Sequence, residues 1–248
     1  LATISPNAVT ALGDSTTNRV FIDQSGSHPT VNATQNGSGN SLGSSAASPV
    51  ALTVPKATTG TNAWSLNSPV YMRGADQTVT TVQNGNNNAI GLALVNAGTG
   101  AGVGATATIQ QLGNSNTADA ACGYGTLSDG TTALSGCKAA DLNWKFSGDS
   151  NHLQFRGSGD SLKSAIDVLG NNNSFFIDAY GNKHTQTIAV NGNDNVFNIN
   201  QSSTGTNGSS VWIDAGSTGT RYTISQTGSI DNVANIKTAG TTGGTFSI

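Results

Sequence analysis

Charge is scarce in this chain of 248 residues: Asp, Glu, Lys and Arg together make up 9%, with 10 basic side chains, 13 acidic ones and a net charge of -3. Neutralising a run of phosphates needs a clustered basic face, and none of these basic residues cluster, so nucleic acid is not expected as a partner. No apolar run approaches the roughly 18 residues of a membrane-spanning helix, so no membrane span is expected. Aromatics reach only 6%. The core that such a composition allows is thin and spread along a line.

Residues that usually carry chemistry are few as well. His28, His152 and His184 are isolated, without metal-ligand spacing, and read as surface or turn residues; no metal and no cofactor is expected. The serines lack a Gly-x-Ser-x-Gly elbow, and a hydroxyl without a placed base is not a nucleophile. Asp149, Asp160, Asp167 and Asp178 are candidates for acid pairs on one face, as in polysaccharide-cleaving solenoids, but no Arg/Lys cluster accompanies them. One Gly/Asp turn, at 157–162, resembles a single calcium-binding nonapeptide unit, and no second unit follows nine residues on. The expectation is a protein that is not an enzyme and has no catalytic residues. Only two cysteines occur, Cys122 and Cys137. They flank a Gly-rich loop, and a disulfide between them is expected in an oxidising compartment, with two buried thiols as the alternative. Such a bridge would restrict the unfolded chain by roughly 3 kcal/mol in the loop-entropy picture.

Against this background a six-residue signature, Gln-x-Gly-x-x-Asn, recurs. Full copies are Gln35, Gly37 and Asn40; Gln83, Gly85 and Asn88; and Gln111, Gly113 and Asn116. Three further copies put an apolar residue where Gln stood: Phe146, Gly148 and Asn151; Val168, Gly170 and Asn173; and Val190, Gly192 and Asn195. Gln226 and Gly228, followed by Asp231 and Asn232, make a last one. Recurrence of this kind marks a repeat architecture. The motif glycines at 148, 170 and 192 are 22 residues apart. Each period holds two short apolar runs, such as Phe175–Ile177 and Thr187–Val190, bounded by Gly and Asn. Runs this short are strands rather than helices. The fold class is therefore all-β, a β-solenoid with rungs of about 22 residues, each a strand, a turn, a strand and a turn.

In such a stack Gly supplies positive φ at the corner, with Asn next best. Rungs about 4.8 Å apart also let identical amides hydrogen-bond along the axis, so the asparagines and glutamines are expected to form ladders. Phe146, Val168 and Val190 in the Gln position imply that this position faces inward. Interruptions of the period imply excursions at Ser44–Pro55, Cys122–Cys137 and Ser202–Ser210. Trp64, Trp144 and Trp212 lie in strand-like runs and read first as core anchors, then as carbohydrate-stacking or subunit contacts.

The signature on a period near 22 residues, with the continuations Asn116-x-Ala118 and Asn232-x-Ala234, resembles the curlin repeat of bacterial curli fibres. This resemblance implies a secreted β-solenoid subunit that polymerises end to end into amyloid-like fibres of the biofilm matrix. It would make Gln35, Gly37, Asn40, Gln83, Gly85, Asn88, Gln111, Gly113, Asn116, Gln226 and Gly228 ladder and turn residues.

The expected organisation is one solenoid domain over 15–248, preceded by an arm or cap at 1–14. The expected function is a structural subunit of an extracellular self-assembling filament whose partners are copies of itself, with the extracellular matrix or cell surface as further candidates. The alternative is a bacteriophage fibre or decoration protein, or an adhesin, of closed oligomeric state. An extracellular or cell-surface location is expected; the chain opens at Leu1 without Met, as a mature chain does after signal removal.

Overall fold

Apolar residues that alternate with polar ones, cut every few positions by Gly and Asn, can bury their apolar side only as short strands that turn and stack. A computed structural model of the chain describes residues 8–13, 22–25, 28–43, 51–54, 64–67, 70–74, 76–95, 104–123, 126–127, 140–159, 161–180, 183–192, 195–202, 208–216, 221–228, 232–238 and 245–247. Two sheets of nine strands each make the solenoid. The first contains β1 (Ala8–Gly13), β3 (Thr30–Gln35), β7 (Gln77–Val82), β9 (Ala105–Gln111), β12 (Asp141–Ser147), β14 (Lys163–Gly170), β16 (Thr185–Gly192), β18 (Ser210–Ala215) and β20 (Val233–Thr238), in that order. The second contains β2 (Asp23–Ser25), β6 (Val70–Arg73), β8 (Gly91–Val95), β10 (Ala118–Cys122), β13 (Leu153–Ser158), β15 (Ser174–Tyr180), β17 (Val196–Ser202), β19 (Arg221–Thr227) and β21 (Thr245–Ser247). Every pairing within these two sheets is parallel. The chain thus alternates between the sheets and advances one rung per circuit.

The register shows how far the period of 22 holds. Asp141, Lys163 and Thr185 are successive partners at that spacing. Corner residues on neighbouring rungs elsewhere lie 48, 28, 35, 25 or 23 residues apart. The extra residues leave the rungs. Part of two such excursions forms a third, small antiparallel sheet, in which β4 (Ala51–Val54) pairs with both β5 (Trp64–Asn67) and β11 (Thr126–Leu127). Within the segment expected to be an arm or cap, β1 is the end strand of the first sheet.

The inner faces interdigitate along the axis. From the first sheet come Val31, Val79, Ile109, Trp144, Phe146, Ile166, Val168, Ile188 and Ile213, and from the second Leu92, Leu153, Phe155, Phe175, Ile177, Phe197, Ile199 and Ile224, all buried. Phe175 and Phe197, on adjacent rungs, stack with ring centroids 5.2 Å apart, while Trp144 reaches across to Phe155 at 5.9 Å. Aromatic pairs of this kind add about 0.5–1.5 kcal/mol each beyond their buried area. Six residues before each corner runs another buried column: Gln77, Ala105, Ala140, Leu162, His184 and Ser209. His184 is therefore an interior residue, not the surface or turn histidine expected, because its rung position places it between Leu162 and Ser209. Trp212 departs in the opposite direction: it faces outward from β18 and is 50% exposed. Its neighbours Val211 and Ile213 take the inward positions, as strand alternation requires.

Candidate functional site

The corners that follow the strands of the first sheet carry the repeat signature, and three polar columns run up them. In the innermost, Gln35 donates from Nε2 to Gln83 Oε1 at 2.7 Å, and Gln83 donates to Gln111 Oε1 at 2.8 Å. Each amide also closes its own corner, on the carbonyls of Ser41, Ala89 and Thr117, six residues ahead. All three side chains are buried. Phe146, Val168 and Val190 continue the column as apolar residues, since Gln111 is in register with Phe146, Phe146 with Val168 and Val168 with Val190. A buried primary amide needs several hydrogen bonds. The stack supplies them only while consecutive rungs keep Gln.

The second column is asparagine. Asn88 donates to Asn40 at 2.7 Å, Asn116 to Asn88 at 2.6 Å, Asn151 to Asn116 at 2.5 Å, and Asn173 to Asn151. The same side chains hold the turn within the rung: Asn116 on Gly113 O at 3.1 Å, Asn151 on Gly148 O at 2.6 Å and Asn173 on Gly170 O at 3.3 Å. Asn195 is buried one rung further, where Val196 N–H donates to Asn173 O. Along the axis the asparagines donate towards the N-terminal end and Gln35 and Gln83 towards the C-terminal end.

A third column lies outside these two, one residue after each motif glycine. Ser38 N–H donates to Asn86 Oδ1 at 2.6 Å, Asn86 N–H to Asn114 Oδ1, Asn114 Nδ2 to Asp149 Oδ2, and Asp149 N–H to Asn171 Oδ1 at 3.2 Å. The sequence reasoning passed over it. Its signal was present, because the residue after the glycine is Ser, Asn or Asp in every one of these copies.

This column also relocates the positive φ assigned to glycine. Ser38, Asn86 and Asn114 have φ of 81°, 76° and 69°, whereas no such angle occurs at Gly37, Gly85 or Gly113. Gly148 and Gly170 do take positive φ, 87° and 135°. A Cβ on Gly170 would come within 2.5 Å of the Gly148 backbone nitrogen, while one on Gly85 would meet only the Asn114 side chain at 3.8 Å. The glycines of the first three copies are thus spared the left-handed conformation by the Ser or Asn that follows. Gly192 is the register partner of Gly170 in β16, and Gly228 has φ of 117°.

The last copy belongs elsewhere. Gln226 lies in β19, in the second sheet, and donates to Oε1 of Gln201, its register partner in β17, at 2.8 Å. The repeat signature marks Gln226 as a ladder residue without saying which corner it occupies. Because each rung consists of two similar halves, the same pattern suits the opposite corner equally well.

Of the four candidate aspartates, the three that are described lie in different places. Asp149 belongs to the outer corner column, and Asp167 is exposed on the first sheet with Lys145 at 3.8 Å. Asp178 is buried on the second sheet near Arg156 at 3.7 Å, while Asp160 lies outside the described residues. Asp119, in β10, faces His152 at 3.8 Å; burial pushes its carboxyl above the usual carboxylate range, and the histidine opposes this only in part. Among the described residues no group of three or more His, Cys, Asp or Glu could hold a metal ion, and no helix is long and apolar enough to cross a membrane. Cys122 is buried in β10; Cys137 lies outside the described residues. Chemically, the corners can bind amide to amide along the axis, which is a means of stacking one rung on the next. No known protein family, curated protein or solved structure matches this chain.

Proposed function

We propose that this chain is the structural subunit of an extracellular filament, of the biofilm-matrix or surface-fibre kind, that lengthens by adding copies of itself to the ends of its solenoid. The observation that carries this reading is the state of the ends. Each sheet terminates in a parallel strand, β1 and β2 at one end and β20 and β21 at the other, whose outer edge pairs with no described strand. Such edges are templates for another chain, and uncapped solenoids associate end to end. The likeness of the signature to the curlin repeat supports the same reading. In a second version, residues 1–14 add as a strand to a neighbouring copy.

An edge substitution tests end-on addition. Val233 N–H donates inward to Ser209 O at 3.0 Å, so strand alternation turns the Ala234 N–H towards the open edge. Proline is tolerated at such a position and removes its donor. Ala234→Pro is expected to leave circular dichroism and the melting temperature nearly unchanged while slowing seeded growth. Growth at the wild-type rate would argue against joining through β20. A chain that halts as a uniform trimer, with or without the substitution, would replace the filament by an adhesin or phage fibre of closed form.

A further inference from the structure

A second feature lies on the outer flank of the solenoid and stands whether or not the subunits polymerise. On the outer face of the first sheet two alanines interrupt rows of larger side chains: Ala165 stands between Asn143 and Thr187, and Ala189 follows Lys145 and Asp167 in the next row. They form the floor of a groove of about 310 Å³ that runs along the axis across β9, β12, β14 and β16. One wall carries Gln110, Lys145 and Asp167, and the other Thr108, Asn143 and Thr187. Trp212 stands at the C-terminal end of the second wall, in register between Thr187 and Asn235.

We propose that this groove binds a chain of neutral polysaccharide, with Trp212 as the stacking platform. The warrant is the combination of groups. An apolar floor with a few amides, hydroxyls and charged tips at the rim is the usual make-up of a ligand cleft, and the volume lies at the low end of that class. An exposed indole offers a flat apolar face with a polar edge, which suits the C–H face and hydroxyl rim of a sugar ring. Charge selects within the class of polymers. Lys145 is 3.8 Å from Asp167, and beyond Trp212 Lys237 is 3.1 Å from Asp214. Each cation is matched by an anion, so the groove offers no net charge to an acidic polymer, while the paired groups still present donors and acceptors to hydroxyls. Successive rungs repeat about every 4.8 Å, which makes a linear track rather than a closed pocket.

The test is affinity electrophoresis of freshly refolded protein through native gels cast with hydroxyethyl cellulose, dextran or alginate. Sedimentation of the same samples reports assembly separately, so failure to form filaments is not mistaken for failure to bind. Retardation by a neutral polymer but not by alginate is expected. Trp212→Ala and Ala189→Arg should each weaken it about tenfold. Both substitutions lie on the solvent face, and unchanged circular dichroism verifies the fold. The proposal is overturned if neither neutral polymer retards the protein, if alginate retards it equally, or if Trp212→Ala binds as the wild type does. It is also overturned if the only loss in Trp212→Ala is lateral self-association, since the occupant would then be a second copy.

Discussion

Asn116 donates from Nδ2 to Oδ1 of Asn88 at 2.6 Å, across 28 residues of sequence. It also accepts from Asn151 and holds its own corner through Gly113 O. One buried side chain therefore ties three rungs together. Asn116→Ala strands the Asn88 acceptor and one Asn151 donor, and an unmet buried polar group costs about 1–3 kcal/mol. Urea unfolding should show a loss of about 2–4 kcal/mol.

The glutamine column makes a comparative prediction. Gln83 has amide partners on both sides, whereas Gln111 borders Phe146. Gln83→Val should thus destabilise more than Gln111→Val, by about 1 kcal/mol, which is the worth of one further hydrogen bond. Equal losses in paired denaturation curves would mean that the column does not act as a ladder.

Glycine substitutions separate the two kinds of corner. Gly170→Ala forces a Cβ against the Gly148 backbone at a positive φ, so a fall of several degrees in melting temperature is expected. Gly85→Ala has room and no such angle, and should stay within about 1 kcal/mol of wild type. If both alanine variants melt alike, the corners do not differ in the way described.

For Asp119 the sign of the pH effect follows from burial. Its folded value lies above the ordinary 3.8, so the native state holds the proton more tightly than the unfolded chain does. Stability contributed by this group is full below 3.8, falls as pH rises through the folded value, and is absent beyond it. Asp119→Asn should accordingly match wild type in acid and melt higher at neutral pH. Melting curves recorded from pH 3 to about 7 check this, and a variant that melts lower at neutral pH would make the His152 pair the stronger influence.

The solenoid is legible in the sequence because corners and strands need different residues. Gly170 and Asn173 mark a place where the chain turns, and the apolar runs before and after them can only be strands. The Asn column is visible for a further reason: Asn40, Asn88, Asn116, Asn151 and Asn173 occupy equivalent corners despite unequal spacing. What the sequence hides is anything that depends on which half of the rung a copy occupies. Gln226 carries the right pattern on the opposite sheet, paired with Gln201, whose own copy lacks the glycine two residues on. Facing is hidden too. Trp212 and Trp144 look alike in their runs, yet one-residue alternation buries Trp144 and exposes Trp212. His184 reads as a polar turn residue until the rung places it beside Leu162 and Ser209.

End-on growth is most directly examined by electron microscopy of the purified chain, diluted from denaturant and followed over hours. Long unbranched filaments that seed fresh monomer are expected, with the solenoid axis along the fibre. Monomers or uniform trimers that never lengthen would contradict it, because the edges of β1, β2, β20 and β21 would then be closed in the free protein.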